Sequence, residues 1–128
     1  MSFLTPGKKN LITDVKGLYI GNSENELINT GSTILTCEDR FVASYKVLGG
    51  APGTRETDLL EPDKLVEKID ALVLSGGSAF GLEAASETVN LLRRDNKGYS
   101  VSNTKVPIVP SAIIFDLMNG GNKDWENN

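Results

Sequence analysis

Histidine is absent from all 128 residues of this chain. A Ser-His-Asp or Cys-His site formed within the chain is therefore excluded, and the commonest transition-metal ligand is missing. Cysteine occurs once, at Cys37, so neither an internal disulfide nor a paired-thiol site can form, and nothing points to an oxidising compartment. Positive charge is in deficit: the formal net charge is -4 and the sequence pI about 4.8, which argues against a nucleic-acid groove or an anionic membrane surface as the main partner. No apolar run approaches the ~20 residues of a membrane span, and the opening Met1–Lys8 stretch has no signal-peptide core. The expectation is a cytoplasmic protein with no cofactor, no metal, no nucleic acid and no membrane among its partners.

What is present is an ordinary globular composition, 39% hydrophobic and 23% charged, in a length that fits one domain or a part of a larger one. Gly17-Leu18-Tyr19-Ile20-Gly21 has the character of a strand bounded by glycines, and the polar stretch Asn22–Asn29 that of a loop or single turn. Thr33–Cys37 and Phe41–Val47 are rich in β-branched and aromatic residues around the polar connector Glu38-Asp39-Arg40, a pattern that predicts a hairpin. Pro62 stands where a helix would start, with Leu65, Val66 and Ile69 on one face. Tyr99-Ser100-Val101 is a short candidate strand. Two prolines three apart force Val106–Pro110 to run extended near an edge, and Ala112–Leu117 is apolar enough for a buried strand. Residues 119–128 have no hydrophobic period and are expected to form a disordered or irregular tail.

The most informative segment is Ala71-Leu72-Val73-Leu74-Ser75-Gly76-Gly77-Ser78-Ala79-Phe80-Gly81. A short apolar strand stops at two glycines and opens a helix to Arg94, with Leu82, Ala85, Val89 and Leu92 on one face and Gly98 suited to the stop. Such a turn presents backbone N–H groups beyond the strand end, where a phosphate, a carboxylate or a reaction oxyanion is favoured. Ser78 is at least an N-cap. A hydrolase elbow is disfavoured, because Phe80 stands where glycine is needed and no histidine base exists. A phosphate loop lacks its lysine, since Leu82-Glu83 follow Gly81.

Other segments carry two readings each. Gly49-Gly50-Ala51-Pro52-Gly53-Thr54 is either a flexible connector or the wall of a site. Arg55, Glu56 and Asp58 form a loop-fixing salt-bridge and capping network or a carboxylate-binding site. Glu83 is simplest as a favourable charge on a helix dipole, and Lys123 as a solvated cation.

Three blocks in order, Gly49–Leu60, Ala71–Leu82 and Val106–Leu117, resemble the DmpA-type aminopeptidases, which include L-aminopeptidase/D-esterases, β-peptidyl aminopeptidases and nylon-oligomer hydrolases. Ile12–Gly21 looks like that family's start, with Asn22 where a histidine is common. The likeness runs from about residue 10 to 118.

The resemblance implies an α/β fold, an αββα sandwich of which this chain supplies only the N-terminal part. It also implies a precursor cut before a Ser or Thr whose freed amine acts as base while its hydroxyl attacks an amide or ester. That nucleophile would come from a C-terminal chain of the same precursor, and the Asn29-Thr30, Gly53-Thr54 and Asn103-Thr104 pairs do not match the family's cut. Gly76, Gly77, Ser78 and Phe80 are then candidate substrate-binding residues for a small peptide or amide. Phe80 stands beside the nucleophile where some relatives have tyrosine, and lacks a tyrosine's hydrogen bond. Lys123 is a candidate catalytic residue, and Leu48 replaces an arginine. The processed unit is expected to form a homo-oligomer, and the chain alone to be inactive. The alternatives are a truncated, non-catalytic assembly element and a small-anion-binding module using the Gly76–Ser78 helix start.

Overall fold

A computed structural model describes residues 4–124. It is a mixed α/β structure built on a five-stranded sheet ordered β1-β2-β4-β7-β3, with one helix and a separate two-stranded hairpin. The five strands are β1 (Leu18–Asn25), β2 (Thr30–Phe41), β3 (Thr54–Arg55), β4 (Ile69–Ser75) and β7 (Ser111–Ile113). Pairing is antiparallel except between β4 and β7, which run parallel with Val73 opposite Ser111 and Ser75 opposite Ile113. Between those two strands the chain passes through helix α1 (Glu83–Arg94) and the hairpin of β5 (Tyr99–Val101) and β6 (Thr104–Val106), the crossover that a parallel pair requires.

The first hairpin differs from the expected one. The strand β1 continues through the polar residues 22–25, and the chain reverses at Glu26–Asn29, where the Asn25 Oδ1 accepts the Leu27 N–H at 3.0 Å and Asn29 takes φ 50°. This Asx-type closure of the turn uses the polar residues that made the segment read as loop. Glu38-Asp39-Arg40 does not turn but continues β2, and residues 42–47 pair with no strand. Their alternating exposure survives from Phe41 to Lys46, yet β2 already has β1 on one side and β4 on the other. Tyr45 is tied instead to Glu61, its hydroxyl donating at 2.7 Å, and that bond pushes the phenol pKa up.

No helix forms after Pro62. Turns and bends occupy residues 61–65, Leu65 is exposed, and Ile69 opens β4 as a core residue only 1% exposed. The proline segment is extended as expected, but it is not an edge. Residues 107–110 are buried, with the Ile108 and Pro110 carbonyls accepting the Asp70 and Val73 N–H groups at 2.9 and 3.1 Å. Its own donors find carboxylates: the Ile108 N–H donates to Asp70 at 2.9 Å, and the Val109 N–H to Glu56 at 3.4 Å. Side-chain carboxylates, that of Asp70 buried, thus satisfy the N–H groups that this buried segment places between its prolines. The strand expected over Ala112–Leu117 ends at Ile113, leaving Ile114 and Phe115 exposed.

Helix α1 lies on one face of the sheet, where Ala85 and Leu92 pack on Ala71, Val73 and Val109, with Ile34 and Val89 at the margin. Its end is set by Asn96 rather than Gly98. With Asn96 at φ 55°, the Asn96 N–H reaches the Arg93 carbonyl at 3.0 Å and the Lys97 N–H reaches that of Leu92 at 2.9 Å, the paired closure of a Schellman turn. Among the described residues no helix is long and apolar enough to cross a membrane.

Candidate functional site

The site forms where β4 and β7 end side by side, outside the carboxyl edge of a parallel strand pair. The Gly76 N–H donates to the Gly31 carbonyl at 2.8 Å, and the Ser78 N–H to that of Ile114 at 3.0 Å. Between them the Gly77 N–H donates to the Asp116 Oδ1 at 2.7 Å. The negative charge favoured at this turn is therefore supplied from inside the chain, by Asp116. Gly77 and Ser78 have successive positive φ values, 85° and 53°. The first suits glycine; the second strains a side chain.

The two outer glycines are required by space. A Cβ on Gly76 would strike the Thr30 Oγ1 and the Asp116 carboxylate, and one on Gly81 would strike the Gly76 carbonyl. Ser78 is not an N-cap: Gly77 holds that position in a 3-10 helix over Ser78–Leu82, and no side-chain cap bond is made. The α-helical ladder starts only at Glu83, which places a carboxylate in its first turn.

Gly76, Gly77 and Phe80 line a cavity of about 370 Å³ together with Thr30, Ser32 and Ser75; Ser78 does not. Phe80 is 65% exposed at its mouth. The Ser32 and Ser75 hydroxyls are hydrogen-bonded at 2.7 Å, tying β2 to β4 beneath the turn. On the other side of Thr30 lies a second cavity of about 560 Å³, bordered by Glu24, Glu26, Asp116 and Asn119.

Asp116 and Thr30 are functional candidates that sequence reasoning missed. Thr30 donates to the Asp116 Oδ2 at 2.5 Å. Burial opposes ionisation of Asp116, but the Thr30 hydroxyl, the Gly77 N–H and the field of Lys123 together hold its carboxyl below the usual range. A carboxylate inside the apolar run Phe115-Asp116-Leu117 was the available signal, since such a charge needs partners.

Lys123 is fixed on the β1–β2 turn: its ammonium donates to the Ile28 carbonyl at 2.6 Å and the Asn119 Oδ1 at 2.8 Å. The side-chain amides of Asn29 and Asn119 bond each other's backbone carbonyls at 2.9 and 3.0 Å. Residues 119–124, which contain no helix or strand, are thereby held against that turn, while 125–128 lie outside the described residues. Arg55 donates to the Ser86 Oγ at 2.6 Å, a hydrogen bond that ties that loop to α1. Among the described residues no group of three or more His, Cys, Asp or Glu side chains could hold a metal ion.

Residues 10–128 match the model of peptidase family S58. The chain belongs to this family. It is 42% identical to uncharacterized aminopeptidases of Mycobacterium tuberculosis and Mycobacterium bovis, over 88% of this chain and 35% of each relative. A Mycobacterium leprae protein, also named an uncharacterized aminopeptidase, is 40% identical over 87% of this chain and 33% of its own length. The chain thus spans about a third of the curated relatives it matches. The likeness to DmpA-type enzymes read from the sequence blocks is borne out, and an S58 peptidase chain with no histidine must do without an imidazole of its own.

Proposed function

We propose that this chain is the α-chain-like part of an autoprocessed aminopeptidase or amidohydrolase, and that it builds one wall of the substrate cavity. Gly76, Gly77 and Phe80 form that wall, with Ser78 outside it, and the attacking Ser or Thr hydroxyl, with its free amine as base, arrives from a C-terminal chain of the same precursor. The observation that carries this reading is the open cavity under Phe80 at the carboxyl edge of β4, in a chain of peptidase family S58.

Three features support it. The cavity has hydroxyls on its floor and an aromatic ring at its mouth, a lining suited to a small peptide or amide. Leu74, Ile114 and Phe115 are exposed around the same strand ends and offer apolar surface to a further chain, as the αββα sandwich requires. Lys123, engaged with the Ile28 carbonyl and the Asn119 side chain, fixes the β1–β2 turn that borders the second cavity. A homo-oligomer of the processed unit remains part of the proposal.

The test is expression of the full gene product and of the 128-residue chain side by side. Mass spectrometry of the full product should find a second polypeptide beginning with Ser or Thr, and that preparation should hydrolyse aminoacyl p-nitroanilides while the 128-residue chain does not. Turnover by the pure chain, or an uncut and inactive full product, would defeat the proposal.

A further inference from the structure

We infer that Asp116 is the positioning residue of this site, its carboxylate fastening the Gly76–Gly77 turn so that Phe80 keeps its place at the cavity mouth. The inference rests on the peptidase reading for what the cavity holds, and on geometry for the clamp itself.

Three separate parts of the chain meet at this one group. Thr30 opens β2, Gly77 follows β4, and Asp116 lies three residues beyond the end of β7. One carboxylate oxygen accepts the Thr30 hydroxyl and the other the Gly77 N–H, at 2.5 and 2.7 Å. Charge-assisted bonds of this length are about twice as strong as neutral ones. Gly76 lies so close against Thr30 and Asp116 that no Cβ fits, so the clamp has no slack.

The turn needs such a restraint. Ser78 is held at φ 53°, a strained value that persists only where neighbouring contacts over-determine it. The 3-10 helix carrying Phe80 has five residues and no side-chain cap, so the placement of its backbone follows from the turn before it. Asp116 acts through that turn: each of its oxygens receives a bond from the chain, one from Thr30 and one from Gly77. The groups facing it are Thr30 from β2, Gly77 from the glycine turn, Lys123 from residues 119–124, and Glu24 and Glu26 across the neighbouring cavity.

A double-mutant cycle on the full gene product tests this, with kcat and KM for an aminoacyl p-nitroanilide and the melting temperature measured together. Asp116→Ala should lose kcat/KM on the order of tenfold or more, since a small misplacement of a positioning group has large kinetic cost. Asp116→Asn, which keeps an acceptor for the Gly77 N–H, should recover part of that loss. In a Phe80→Ala background, Asp116→Ala should cost less than about threefold further, the signature of two residues acting as one unit. Additive losses would overturn the inference. Should Asp116→Ala not fold, the same cycle is run with Asp116→Asn. A wild-type product without hydrolysis would sink the peptidase reading alone. The clamp is then read by hydrogen exchange over residues 76–80, where faster exchange in Asp116→Asn supports it and unchanged exchange rejects it.

Discussion

The Arg40 guanidinium and the Asp70 carboxylate meet at 3.4 Å across β2 and β4, with the Asp70 side chain 4% exposed and the Arg40 side chain 29% exposed. The guanidinium also donates to the Lys68 carbonyl and lies 5.4 Å from the centroid of the Tyr99 ring. Asp70 in turn holds the Ile108 N–H, so this pair connects the sheet to the buried proline segment.

Arg40→Ala should therefore destabilise the fold by about 2–3 kcal/mol, less than the loss of a fully buried partner because Arg40 retains some solvent. The stabilising gain of the pair itself is smaller; the cost arises from leaving Asp70 buried and unpaired. Urea denaturation of the full gene product checks this, and an unchanged midpoint contradicts it.

Gly81→Ala should be among the most damaging single-methyl substitutions in this chain. The added Cβ meets the backbone carbonyl of Gly76, which cannot move without opening the turn and releasing the Gly77–Asp116 bond. The expected loss is about 3 kcal/mol or more, in the range reserved for backbone clashes and broken buried networks. Ala79→Gly, in the same short helix, supplies a control for local helix propensity, and its loss should stay near 1 kcal/mol.

Acid stability should depend on Asp116. Its folded pKa is lowered, so its contribution is fully present above the unfolded value of about 3.9 and is lost as pH falls through the folded value below that. Asp116→Asn should be less stable than wild type at neutral pH and show a shallower decline below about pH 4. Urea midpoints measured across that interval decide the matter; parallel curves for the two proteins would exclude a role for this carboxylate.

Lys123→Ala should loosen residues 119–124 with only a small effect on global stability, about 0.5–1.5 kcal/mol. Its ammonium holds the Ile28 carbonyl and Asn119, and without it the remaining amide contacts of Asn29 and Asn119 compete with water. Limited proteolysis followed by mass spectrometry should find faster cleavage within 119–124. A proteolysis pattern identical to wild type would contradict the anchoring role.

Local periodicity was enough for the order of strand, glycine turn and helix between Ala71 and Arg94, each of which leaves its mark within a few neighbouring residues, but not for the 3-10 start over Ser78–Leu82. It found the cores of β1 and β2 at Leu18–Gly21 and Thr33–Cys37 but not where those strands end or how they pair. The alternation of Phe41–Lys46 is a strand's pattern, but whether a strand pairs depends on which edges are already taken, and β2 has none to give. It failed again after Pro62, where Leu65 and Val66 have helical spacing but Ile69 is drawn into the core strand.

By itself the sequence determined the family, through ordered blocks around Gly49, Gly76 and Val106, and its lack of histidine excluded an imidazole mechanism within the chain. Tertiary structure alone decided that the glycine turn is closed by Asp116 and Thr30, residues 86 positions apart that share one hydrogen bond. The reason is physical: a turn's free N–H groups are visible locally, but the acceptor that satisfies them is brought by the crossover from β4 to β7, and no short-range pattern records which distant carboxylate that will be.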